Sequence, residues 1–203
     1  MVVRAGAELG VVPAPADRIT PDDRSRGYQG RIAAVTGTAA SAPLEIRPVR
    51  PEEYAETGAL VEAAYTAGGI LDNDRGYGAH VRDVAGRATD HPVLVALRDD
   101  RIVGSVTITP FGSPQSELAH EGEVEFRYLA VAPEAWGTGV AQALVAAVDA
   151  WARDHDARRL VLCVIESNDA AQGLYARLGF ERDPARDWIP VPEVVLRFWQ
   201  REL

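Results

Sequence analysis

EVEFRYLAV (residues 123–131), APEAWGTG (132–139) and VAQALVAAVDAW (140–151) form one unbroken stretch in which the spacing of apolar residues changes once. Val124, Phe126, Tyr128 and Ala130 alternate with Glu125, Arg127, Leu129 and Val131, the period of a β-strand, and Pro133 ends it. From Val140 the period lengthens. Val140, Leu144, Val148 and Trp151 recur at steps of three and four with Ala141 and Val145 beside them, while Gln142, Asp149 and Arg153 take the other side. The spacing predicts a helix with one buried face. Between the two elements, Gly137 and Gly139 let the backbone approach a ligand closely, and the unpaired amides of the helix start point outward. An anion is the natural occupant of such a tip.

Two familiar glycine motifs fail on spacing. A dinucleotide fold requires G-x-G-x-x-G, but Gly137-Thr138-Gly139 is followed by Val140, Ala141 and Gln142; a P-loop requires Lys-Ser/Thr after its last glycine, and neither follows. The stretch Leu129-Ala-Val-Ala-Pro133-Glu-Ala-Trp136-Gly137-Thr-Gly139-Val-Ala141 resembles the acyl-CoA loop of the GCN5-related N-acetyltransferase (GNAT) family, L-x-V-x-P-x-x-[R/Q]-G-x-G-x-[G/A]. Trp136 stands where that family usually has Arg or Gln, which leaves the amides in place but removes one polar side chain near the pyrophosphate. About 30 residues later, Asn168-Asp-Ala-Ala171-Gln-Gly-Leu174-Tyr175-Ala-Arg-Leu178-Gly179-Phe180 resembles a second motif of the family, N-x-x-A-x-x-L-Y-x-x-x-G-F. Read from its residues alone, that run has a capping start, an apolar stripe and a glycine stop.

The resemblance implies an α/β fold: a mixed, mostly antiparallel sheet of six to seven strands flanked by helices, with a V-shaped splay between strands 4 and 5. It implies acetyl-CoA as co-substrate, its pantetheine arm along Leu129, Ala130 and Val131, and its pyrophosphate on the amides around Trp136, Gly137, Thr138, Gly139, Val140, Ala141 and Gln142. Asn168 matches a residue that contacts the arm. Tyr175 matches the tyrosine that faces the sulfur and protonates the departing thiolate. Glu125, four residues before Leu129, is the candidate base for the acceptor amine; strand parity puts it on Leu129's face unless a bulge intervenes. Such a base is useful because a primary amine with a pKa near 10.4 is mostly protonated at neutral pH.

Around this centre the chain has ordinary globular content: 203 residues, 47% hydrophobic and 25% charged, enough for one sizeable core. Thirty acidic against 21 basic residues, a net charge of −9, argue against a nucleic-acid partner and lean toward a cationic one. Cys163 is the single cysteine, so no internal disulfide can form, and no Cys/His cluster has metal-ligand spacing. No apolar run reaches the roughly 18 residues of a membrane span, and a cytoplasmic location is expected. Residues 1–43, with scattered proline, glycine and small polar residues, read as a flexible or loosely docked extension, and 44–203 as the folded domain.

Inside that domain the pattern predicts a strand from Leu44, a helix opened by Pro51-Glu52-Glu53, a turn-rich break over 67–77, and a helical piece from about Gly78 to Ala88. Strands follow over 92–97, 101–109, 159–164 and 193–199. Tyr65, Asp72, Asp74, Tyr77 and Trp188 are candidate acceptor contacts, and His120 is a candidate base set against a solvated loop histidine. The expected activity is direct transfer of an acetyl group to an amine, a small cationic molecule being favoured, and a homodimer is compatible with the family. A non-catalytic acyl-CoA sensor or accessory interaction domain on the same fold stays open.

Overall fold

The structure is a computed structural model, which describes residues 43–71, 76–191 and 194–203. The expected extension, apart from Pro43, lies outside the described residues, as do Asp72 and Asp74.

In chain order the elements are β1 (Glu45–Pro48), α1 (Tyr54–Ala67), α2 (Tyr77–Arg82), α3 (Val84–Asp90), β2 (Val93–Arg98), β3 (Arg101–Pro110), β4 (Glu123–Val131), α4 (Val140–Asp154), β5 (Arg159–Ile165), α5 (Asp169–Arg177), β6 (Glu181–Arg182), β7 (Trp188–Val191) and β8 (Val194–Glu202). One sheet runs β1-β2-β3-β4-β5-β8-β6, with β7 also on β8. All pairs are antiparallel except β4 with β5. The two-residue β6 and the edge strand β7 bring the described strands to eight, against six or seven expected.

The β2–β3 hairpin is tight because Asp99 and Asp100 both take positive φ, 50° and 60°, the hand that a two-residue turn needs to follow the strand twist. Leu94, Ala96, Val106, Ile108, Val124 and Phe126 cover one face of the sheet and bury Val140, Leu144, Val145 and Val148 of α4, each worth about 1.5–3 kcal/mol. On the other face, Tyr128 and Ala130 meet Val61 and Ala64 of α1 and Val81 of α2. No helix among the described residues is long and apolar enough to cross a membrane.

Two expectations are corrected. The helix expected over 78–88 is two helices, because the Asp83 carboxylate turns back to accept from the Gly86 amide at 2.8 Å and starts a new helix there. In β4 the register slips: Ser105 faces Ala130 and Thr107 faces Arg127, so Tyr128 and Leu129 together oppose Val106. Tyr128 takes φ 53° at this bulge. The alternation therefore inverts. Val124 and Phe126 face α4, but beyond the bulge it is Leu129 and Val131 that pack toward that side, and Tyr128 and Ala130 that face α1 and α2. Glu125, out of phase with Val124 and Phe126, lies on the α1 side, opposite Leu129.

The parallel pair β4–β5 is short. Glu123, Val124 and Glu125 register with Arg159, Leu160 and Val161, after which β4 pairs only with β3 and β5 only with β8. Residues 126–131 thus present a second edge that no described strand covers.

Candidate active site

The tip of α4 lies beside that open edge. Pro133–Ala135 forms a 3-10 turn, and Gly137 and Gly139 then take φ 75° and 84°, a conformation costly for any residue with a Cβ. A Cβ built at either glycine meets nothing within 4 Å, so the space above the loop is open. Gly139 caps α4, leaving the first helical amides at Val140, Ala141 and Gln142. The Thr138 hydroxyl donates to the Ala135 carbonyl at 2.7 Å, fixing the turn from within. This is a cradle of backbone amides with the positive end of a helix behind it.

Two side chains complete it. Trp136, half exposed, donates its indole Nε1–H to the Val131 carbonyl at 2.8 Å, which ties the loop to the end of the open edge. Arg98, at the end of β2, reaches the Thr138 hydroxyl at 3.0 Å and its carbonyl at 3.4 Å. A guanidinium thus reaches the loop from a hairpin that lies 40 residues before Thr138 in the chain. No local sequence signal marks Arg98, because only the strand order brings it there.

At the point where β4 and β5 part, α5 supplies Tyr175. Asn168 starts α5 by accepting from the Ala171 amide at 3.0 Å, so its side-chain oxygen already caps the helix. Tyr175 is buried, its ring 5.9 Å from Phe126 and 5.6 Å from Phe180, and burial alone pushes its phenol pKa up. The hydroxyl therefore stays protonated across the neutral range.

Glu125 is 1% exposed, and its Oε2 accepts from the Glu117 and Leu118 amides at 2.9 and 3.1 Å. These bonds fold the 111–122 loop over β4. Burial raises the carboxyl's pKa, with the Arg127 guanidinium, 3.6 Å away, pulling the other way. Glu125 and Tyr175 are thus not in contact: the first belongs to the α1 side, the second to the α4 side.

Four further side chains gather on the α1 side. His80 of α2 meets the Tyr128 hydroxyl through Nε2 at 2.8 Å and stacks on Tyr77 with centroids 6.0 Å apart. Tyr65 of α1 stands 6.5 Å from Tyr77, and burial first, then the neighbouring Tyr77, Tyr128 and Tyr175, push its phenol pKa up. Of these four the sequence marked only Tyr65 and Tyr77; His80 and Tyr128 went unmarked because a lone histidine and an apolar-phase tyrosine carry no motif. His120, the candidate loop base, contributes its backbone amide to Glu123 at 2.9 Å. Burial pushes the Cys163 thiol up to about 12, which suits a packing residue and not a nucleophile. Trp188 is half-buried on β7.

The profile of the acetyltransferase (GNAT) family matches residues 58–180, a span that includes the glycine loop and α5. Human N-acetyltransferase 8B is 34% identical over 88 residues, 43% of this chain and 37% of that protein, so the match spans little more than a third of that relative's length. PaiA N-acetyltransferase from Thermoplasma acidophilum, solved in complex with coenzyme A, superposes with a TM-score of 0.63 at 12% identity, over 79% of this chain and 99% of its own. YncA from Salmonella typhimurium, solved with its cofactor acetyl-CoA, gives a TM-score of 0.60 at 21% identity, over 79% and 94%. At these identities the likeness to solved structures is one of fold.

Proposed function

The chain belongs to the GNAT acetyltransferase family, and on that premise we propose that it transfers the acetyl group of acetyl-CoA directly to the nitrogen of a small amine that is a cation in solution. The observation that carries this reading is the pairing of an uncovered β4 edge over 126–131 with an amide-lined helix tip at Gly137–Gly139. A thioester carrier needs both: amides for its pyrophosphate, and an extended edge along which its amide-bearing arm can add like a strand.

In this reading the amides of Gly137, Gly139, Val140, Ala141 and Gln142 hold the pyrophosphate with Arg98 beside them, while the Thr138 amide, which donates to the Ala135 carbonyl at 3.3 Å, braces the turn; Leu129, Ala130 and Val131 align the arm, with Asn168 at its far side. A backbone amide of the same edge meets the thioester oxygen as charge gathers on it. The amine attacks the carbonyl carbon, the C–S bond breaks, and Tyr175 hydrogen-bonds the leaving sulfur and protonates it. Glu125 takes the proton that the nitrogen sheds as the amide forms, directly or through a water, a role worth roughly 10²–10⁴ in rate.

Calorimetry with CoA and acetyl-CoA, followed by thiol release across a panel of amines, tests this. No heat with either form of CoA would sink the reading; binding without turnover on any amine would favour an acyl-CoA sensor on the same fold. Two variants locate the site. Gly139→Val places a branched side chain at φ 84° and is expected to distort the loop and weaken CoA binding by roughly 5- to 150-fold, the equivalent of about 1–3 kcal/mol of backbone strain. Arg98→Ala removes a partly exposed cation from the loop and should cost about three- to tenfold in CoA affinity, more at low salt than at high.

A further inference from the structure

An ammonium nitrogen sheds two protons as it is acetylated: one before it can attack, and one as the amide forms, which Glu125 takes and which is balanced by the proton Tyr175 gives the departing thiolate, so that only the first is released to solvent. The first must leave by a route that opens to water, and Glu125 does not offer one: it is 1% exposed and bonded to two loop amides.

We propose that Tyr128 and His80 form the exit for that first proton, Tyr128 meeting the incoming ammonium and His80 passing the charge to solvent; the proposal rests on the acetyltransferase reading above. The transfer balances. The ammonium gives a proton to the Tyr128 oxygen as the Tyr128 hydroxyl proton moves to His80 Nε2, leaving a neutral amine, an unchanged phenol and an imidazolium, which then loses its extra proton to water.

Four features of this chain support it. First, Tyr128 immediately precedes Leu129 on the uncovered edge, and the bulge, with φ 53° at a residue that has a Cβ, turns its side chain out of the α4 side. Strain of this kind, about 1–2 kcal/mol, persists where the surroundings enforce it. Second, the hydroxyl sits 2.8 Å from His80 Nε2, a distance at which a proton moves within one hydrogen bond. Third, His80 is exposed while Tyr128 is buried, so the pair spans from the interior to solvent. Fourth, Arg87 fixes both members. Its guanidinium donates to the His80 and Val81 carbonyls at 2.9 Å each and lies 4.1 Å from the Tyr128 ring centroid.

The charged surroundings favour a neutral imidazole that releases its proton readily. Although His80 is exposed overall, its ring lies against Tyr77 and meets the Tyr128 hydroxyl, and this partial desolvation first, then the guanidiniums of Arg127 and Arg87, hold its pKa below the usual 6.5, with Asp83 and Glu117 opposing. The other groups on the packed elements are Tyr65 on α1, Tyr77 and the Arg82–Glu62 ion pair on the α1–α2 side, and Glu125 on β4.

The test is the pH profile of kcat/KM for thiol release with acetyl-CoA and each of three probe amines, spermidine, benzylamine and an alanine tripeptide, for the wild-type chain, His80→Gln and Tyr128→Phe. The second variant keeps the ring beneath Arg87 and deletes only the hydroxyl. With the relay in place, the wild-type rate is level through neutral pH and falls only at acid pH, below the ordinary imidazole range, as His80 is protonated. Both variants should lose about 10- to 100-fold at pH 7 and recover about tenfold per pH unit until the pH reaches the amine's own pKa, about 8 for the tripeptide and higher for the other two, because solution then supplies the neutral amine. Affinity for CoA, measured by calorimetry, should not move. Variant profiles that run parallel to wild type at every pH would overturn the relay while leaving the acetyltransferase reading intact. A wild-type chain that releases no thiol with any of the three amines overturns both.

Discussion

Tyr175→Phe should lower kcat by roughly 10²–10⁴ while leaving the affinity for acetyl-CoA within about twofold. The contrast follows from where the residue sits. Its ring is held by Phe126 and Phe180, contacts that a phenylalanine keeps, and burial is the sole cause of the phenol's upward shift, so no ion pair is broken by the change. What disappears, on the proposed role of Tyr175, is one hydrogen bond to the departing sulfur, an interaction that strengthens only as the C–S bond breaks. A loss that appears in kcat and kcat/KM alike is therefore expected, with KM little changed. Single-turnover measurements would show the defect in the chemical step. A Tyr175→Phe protein with wild-type kcat would remove Tyr175 from the chemistry and leave it as a packing residue between α5 and β4.

The strand, glycine turn and helix of 123–151 were legible because hydrophobic spacing changes from two to 3.6 across the glycines, and local pattern is what decides such an element. Asn168 as the cap of α5 and Tyr175 on its apolar stripe were legible in the same local way, whereas their roles toward CoA came from the family resemblance alone. The bulge in β4 was not. Glycine advertises a positive φ, but Tyr128 adopts one at a bulge where its ring packs against Val61 and Ala64 of α1 and Val81 of α2, contacts that lie far off in sequence. That one inserted residue reverses which side Glu125 shares with Leu129, so every parity argument across it changes sign. Arg98 and His80 were out of reach for a related reason. Each meets its partner over 40 and 48 residues respectively, through the order of strands and the docking of α2, and neither distance leaves a trace in local spacing. The split between α2 and α3 turned on a single capping carboxylate, Asp83, in a run whose composition suits one helix.

The splay also has a closed end, and Glu123 is expected to hold it. This buried carboxylate accepts from Arg159 of β5 at 2.9 Å, from both terminal nitrogens of Arg186 at 3.0 and 2.9 Å, and from the His120 amide at 2.9 Å. It thus fastens β4 to β5, to the turn after β6 and to the end of the 111–122 loop, just where the two strands still pair. Burial by itself would raise its pKa, but the Arg186 guanidinium, the His120 amide and Arg159 outweigh it and hold the carboxyl at about 2. A folded pKa below the usual 4.5 means stability that is fully present above pH 4.5 and is lost as pH falls toward 2, about 3 kcal/mol in all. Glu123→Gln leaves two guanidiniums facing a neutral amide. Arg159 keeps Glu202, so the loss should be about 2–4 kcal/mol, seen as a drop of roughly 5–15 °C in Tm at pH 7. The variant should also lose this share of its acid sensitivity, its Tm falling less steeply than wild type between pH 4.5 and 2. An unchanged Tm at pH 7 would show that the cluster does not carry the vertex. If it does, CoA affinity should fall together with stability, because the angle at which β4 and β5 part is set from Glu123 and used at Val131.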